Sequence, residues 1–212
     1  ARISAKLLTL PKERGGMALP SFETYYQAAQ LRVITEWSAR ESEKHWLHMD
    51  RAIAGRSIWD LLWRAKEHRP RNTYLSTPTA TVLRVWDGIH KKTPLTTFPS
   101  PFTPIHYNDF FPPALLSGAF DAWREGGCII LGQLFRGPSI MSFEECRIKY
   151  KLSSKEKFHY TQLMHWATGP NMREAATRAL TPIEKYVKGG AGPRGCISAL
   201  YKIIQGAKTT PL

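Results

Sequence analysis

The sequence predicts a mainly α fold, two helical lobes joined by a Pro-rich irregular segment. Three observations carry that prediction. Apolar residues recur at three- and four-residue steps, the period of an amphipathic helix. Residues that start helices stand ahead of those stretches. Hydrophobic residues make up 42% of the 212, enough to build a packed core.

Residues 1–20 read as an irregular basic segment, with Lys12 and Arg14 ahead of a Gly15-Gly16 turn between Pro11 and Pro20. Ser21 is a good N-cap, and Phe22, Tyr26, Ala29, Val33 and Trp37 supply one apolar face of the first clear helix. A second amphipathic stretch, roughly 41–66, carries Trp46, Ile58, Leu61, Leu62 and Trp63, with Gly55 as its break. Arg64, Lys66, Arg69 and Arg71 form a basic hinge. Thr77-Pro78 then opens a helix whose face is Val82, Val85, Trp86 and Ile89. It stops near Lys91-Lys92, where cations suit the negative end of the helix dipole.

Residues 93–113 hold Pro94, Pro99, Pro101, Pro104, Pro112 and Pro113, a density that forbids regular helix or central strand. The segment reads as a linker or surface loop, which divides the chain into residues 1–92, 93–113 and 114–212. Beyond it, Ser142 with Glu145, Ser153 with Glu156, and Thr181-Pro182 with Glu184 each fit a capping box. Ile197, Leu200, Tyr201 and Ile204 mark a final helix. Near 128–141 a short strand and a buried turn stay equally open, because Cys128-Ile129-Ile130-Leu131 is too short for periodicity to decide.

The charge is lopsided. Thirty Lys and Arg against seventeen Asp and Glu give +13, and self-repulsion on that scale calls for a polyanionic partner. Nucleic acid fits first, since neutralising phosphates releases counterions. No apolar run nears the ~20 residues that span a bilayer, and the start shows no signal-peptide pattern. Three widely spaced cysteines, Cys128, Cys146 and Cys196, do not make a secreted disulfide framework. An intracellular setting, cytoplasmic or nuclear and not secreted, is the expectation.

Catalytic signatures are missing from the sequence. Two-metal chemistry needs several carboxylates converging on the ions. Asp50, Asp60, Asp87, Asp109 and Asp121 are all isolated, and no two aspartates adjoin. The cysteines lie eighteen and fifty positions apart, and His159 with His165 lacks zinc-finger spacing. No nucleophile elbow or phosphate loop occurs. The sequence therefore calls for no catalytic residue, no metal site and no cofactor.

The cations cluster instead. Arg147, Lys149, Lys151, Lys155 and Lys157 fall within eleven positions, interleaved with Tyr150, Phe158 and Tyr160. Cations can track phosphates while aromatic faces take stacked bases; equally, the aromatics can be core and the lysines solvated. Lys188 and Arg194 flank a second Gly-rich basic stretch, either a phosphate-approaching backbone or a plain linker.

Several strings resemble the reverse-transcriptase polyprotein of vertebrate long interspersed elements, the non-LTR retrotransposons. The most specific runs Leu10-Pro11-Lys12-Glu13-Arg14-Gly15-Gly16-Met17-Ala18-Leu19-Pro20, followed by Tyr25-Tyr26-Gln27-Ala28-Ala29-Gln30-Leu31. A second comprises Trp123, Gly126, Leu134-Phe135, Ser142-Phe143-Glu144, Lys149-Tyr150 and Gln162-Leu163. The third is Gly195-Cys196-Ile197-Ser198-Ala199-Leu200-Tyr201. The resemblance implies thumb and wrist regions, the first over 1–92 and the second over 114–212, which grip an RNA template and an RNA–DNA hybrid. The catalytic palm and the endonuclease would precede them as partner domains, so the chain itself would be non-catalytic. Its nucleic-acid contacts would come from Lys12, Arg14, Gly15, Gly16, Arg64, Lys66, Arg69, Arg71, Arg147, Lys149, Lys151, Lys155, Lys157, Lys188 and Arg194. A helical protein-interaction module, or a decayed retroelement remnant without activity, is the competing reading.

Overall fold

The computed structural model describes residues 4–38, 44–54, 57–64, 66–69, 75–93, 95–115, 118–189 and 194–209. In chain order the helices are α1 (Ala5–Thr9), α2 (Phe22–Leu31), α3 (Val33–Ser38), α4 (His45–Ala54), α5 (Ile58–Leu62) and α6 (Thr77–Lys92). After the Pro-rich segment come α7 (Asp121–Glu125), α8 (Phe143–Tyr150), α9 (Lys157–Ala167), α10 (Pro170–Thr177), α11 (Pro182–Lys188) and α12 (Cys196–Thr209). Strands β1 (Phe135–Arg136) and β2 (Ser139–Ile140) pair antiparallel, with Phe135 opposite Ile140, and form the one sheet among the described residues. The protein is mainly α.

Two compact units interleave along the chain. One comprises Ala1–Lys44, Thr77–Leu95 and Pro182–Leu212; the other comprises His45–Ser76 and Thr96–Thr181. This corrects the sequential division expected from the prolines. The physical reason is partner choice. The apolar face of α12 (Leu200 and Ile204, both buried) packs on α2, nearly the whole chain away in sequence.

In the first unit α2 lies against α12 and α6, and α11 against α3 and α12. Ser21 caps α2 as expected, its Oγ accepting from the Thr24 amide at 3.3 Å. The Ser21 amide donates to the Tyr201 hydroxyl at 3.0 Å, and Lys208 Nζ donates to Thr24 Oγ1 at 2.9 Å. The buried face of α2 differs from the expected one. Thr24, Gln27, Ala28 and Leu31 face the core, while Phe22 is 80% exposed and Tyr26 is exposed beside it. Two stripes of helical period coexist here, and the buried one carries Ala28 and Leu31. Residues 5–9, expected to be irregular, form the short α1.

The second unit holds the larger aromatic core. Trp63 stacks on Phe102 with ring centroids 4.7 Å apart, and Ile105, Phe111, Phe120, Trp123, Leu131 and Leu163 fill a continuous apolar cluster. The Pro-rich segment belongs to this core and is no linker. Its carbonyls serve as acceptors even where proline has no amide to give. Leu131 and Gly132 donate to the Thr103 and Pro101 carbonyls at 2.9 and 2.8 Å, and Ile105 donates to Ile129 at 3.0 Å. A bridge between Pro104 and Ile130 settles the ambiguous stretch as an extended pairing, followed by a 3-10 turn over Leu131–Leu134 and then the hairpin. The expected break at Gly55 lies outside the described residues.

Candidate nucleic-acid interface

The site forms where α8 hands the chain to α9. Ser142 and Glu145 make the predicted capping box: Ser142 Oγ accepts from the Glu145 amide at 3.3 Å, and Glu145 Oε2 accepts from the Ser142 amide at 2.8 Å. Those bonds, with Arg136 close by, hold the Glu145 carboxyl below its usual range. Helix α8 ends at Lys151, whose left-handed backbone (φ 55°) sends its amide back to the Arg147 carbonyl. Leu152 is buried. Ser153 then begins a 3-10 turn over Ser154–Glu156 that runs into α9.

The second expected capping box is absent. Ser153 makes no side-chain cap, because Glu156 faces inward instead. Its Oε2 accepts from Trp123 Nε1 at 2.9 Å and lies 2.8 Å from His159 Nδ1. The one carboxylate between Lys155 and Lys157 is thereby spent on the core side. Lys151, Lys155 and Lys157 are exposed and carry no ion pair among the described residues. The other two cations of the run are engaged. Arg147 Nε bonds Glu144 at 2.8 Å, and Lys149 Nζ sits 5.0 Å over the Tyr150 ring and 3.5 Å from the Gln133 carbonyl.

The aromatics divide. Tyr150 is buried and donates to the Gln133 carbonyl at 2.5 Å; Tyr160 donates to the Met141 carbonyl at 2.9 Å. Both are structural. Phe158 is 69% exposed and Ile148 75%, so apolar surface does accompany the lysines. Cys128 and Cys146 are buried in the core of this unit, and burial pushes their thiols up to about 12 and about 11.

Two cations of the basic hinge are turned to backbone carbonyls. Arg64 is only 6% exposed and donates Nη2 to the His106 carbonyl at 2.9 Å, while half-buried Arg69 donates to the Arg64 carbonyl at 3.1 Å. A guanidinium presents several donors in one plane, which suits it to satisfying loop carbonyls inside a fold. Of the three described hinge cations only Lys66 is exposed; Arg71 lies outside the described residues.

In the other unit Lys12 and Arg14 stand exposed on a 3-10 turn (Lys12–Arg14) with no partner among the described residues. The glycines beside them serve the turn itself. Gly15 is left-handed (φ 77°), and its amide donates to Lys12 while that of Gly16 donates to Pro11. A side chain at Gly16 would collide with the Leu10 carbonyl at 2.1 Å. Those two amides are used within the turn and are not free for phosphate. Lys188 and Arg194 are exposed, and residues 190–193 between them lie outside the described ones.

Sequence reasoning missed exposed Arg173, on α10 of the second unit, and a cleft near Asp109. Its one sequence signal is a lone carboxylate beside Phe110-Phe111 within the prolines. Among the described residues no three His, Cys, Asp or Glu side chains converge so as to hold a metal ion. No described helix is long and apolar enough to cross a membrane. No family model matches the chain, and no curated protein is significantly similar to it.

Proposed function

We propose that the chain is a nucleic-acid-gripping, non-catalytic portion of a reverse transcriptase, similar to the thumb and wrist of non-LTR retrotransposons. Its ligands in this reading are an RNA template and an RNA–DNA hybrid, held mainly by phosphate contacts with little reading of sequence. The observation that carries it is the Lys151, Lys155 and Lys157 cluster, left uncompensated because Glu156 is turned toward Trp123 and His159. A solvated basic surface gains most by interleaving carboxylates, whereas a phosphate-binding one gains by withholding them. Polymerase activity would belong to a palm outside this chain, with which it would work as one polyprotein.

A triple variant, Lys151→Gln, Lys155→Gln and Lys157→Gln, tests this. Each lost phosphate contact flattens the log–log salt dependence by about 0.9 on B-form duplex, so the slope on a hybrid should fall by roughly two to three. A triple variant with the wild-type slope and affinity would overturn the assignment.

A protein-docking module is the second reading. The exposed row Phe22, Tyr25 and Tyr26 on α2 favours it, since large contiguous apolar surface often marks an interface. Such docking would depend far less steeply on salt.

A further inference from the structure

A cleft of about 210 Å³ opens in the second unit, separate in chemistry from the lysine cluster. Its apolar lining includes Trp63, Phe98, Pro99 and Phe110, and its polar lining includes Asp109 and Asn171. The volume lies below the roughly 300 Å³ at which drug-sized pockets begin, which suits an occupant the size of one flat ring system. Phe98 and Phe110 keep 40% and 55% of their surface open, apolar surface against which such a ring can pack.

The polar end is held in place. Asn108 donates Nδ2 to the Pro104 carbonyl at 2.8 Å and accepts from the Phe110 amide at 3.0 Å, which fixes the loop on both sides of Asp109. Asp109 Oδ2 lies 3.0 Å from His68 Nδ1, and the His68 ring meets Phe110 edge-on with centroids 4.6 Å apart. One carboxylate has about four lone-pair sites, of which His68 takes one. The remaining sites on two adjacent oxygens suit a ligand edge carrying two parallel N–H donors. Asn171 is exposed and its amide has no partner among the described residues, so it can serve the ring's acceptors.

We infer that this cleft binds a guanine base, its N1–H and 2-amino group donating to Asp109 and its faces packed on Phe98 and Phe110. Adenine and cytosine pair each amino group with an adjacent acceptor, which a carboxylate repels; uracil offers one N–H only. The base can come from an unpaired position in a strand or from a free nucleotide.

The full chain is titrated with guanosine, inosine and adenosine, observed by ligand-detected NMR. These probes carry no phosphate, so the result is independent of whether the lysines grip nucleic acid. Guanosine should bind about tenfold tighter than inosine, which lacks the 2-amino donor, and tighter still than adenosine. Asp109→Asn presents one acceptor and one donor, so guanosine should weaken at least tenfold while adenosine does not weaken. Retained adenosine binding also reports that the variant is folded. Phe110→Leu should weaken all three alike. A hairpin RNA with one loop guanine, compared with the same hairpin carrying inosine, identifies the source. A similar contrast there assigns a strand base, and a contrast confined to nucleosides assigns a free nucleotide. Equal binding of guanosine and adenosine by the wild type, or unchanged guanosine binding by Asp109→Asn, would overturn the inference.

Discussion

Glu156 shows how one side chain sets the character of a surface. Read along the chain it is a carboxylate between two lysines, a natural neutraliser and a plausible capping residue. In the fold it is held by the Trp123 indole and His159, so the lysines keep their full field. The same contrast separates Arg64 from Lys66: two cations of one hinge, one buried against the His106 carbonyl and the other in solvent. Composition counts both as charge, and only packing distinguishes them. The cysteines give a residue-scale prediction. The thiolate is the reactive form, and all three thiols are buried, with Cys128 and Cys146 pushed well above neutrality. Iodoacetamide at pH 7.5 should label none of the three within minutes in the native chain and all three in denaturant, as counted by mass spectrometry. Rapid native labelling of Cys128 or Cys146 would show that this core is open.

Elements were more legible than their faces. Helix α6 begins at Thr77-Pro78 and ends at Lys92, and α8 begins behind its Ser142 box, because those signals are local hydrogen bonds and dipole effects. The buried stripe of α2 and the role of the prolines were not legible, since each depends on a distant partner: α12 in one case, residues 129–132 in the other. The junction of α7 with α8 has the same dependence. A side chain at Gly126 would come within 2.3 Å of the Tyr150 carbonyl, the last residue of α8 before Lys151. Gly126→Ala should therefore cost about 1–3 kcal/mol, the usual range for overpacking, and lower the melting temperature by several degrees. It should also weaken hybrid binding at fixed salt by displacing the Lys151 turn. An unchanged melting temperature would mean that α7 can move away from α8 freely.

At the scale of the whole molecule, two interleaved helical units carry a formal charge of +13. The mainly α class follows from short-range periodicity, which the sequence displays openly. The division into units does not, because it rests on contacts between segments up to about the full chain length apart. The run of cations over 147–157 was legible in the sequence; which of them are engaged was not, and the structure leaves Lys151, Lys155 and Lys157 without an ion pair among the described residues. The central claim is that these free cations hold phosphate. The most direct measurement is fluorescence anisotropy of the wild-type chain on a labelled RNA–DNA hybrid across a salt series. With these three lysines and about two further contacts, from Lys12 and Arg14, log affinity should fall against log salt with a slope near −4. A flat dependence, at any affinity, would contradict the account.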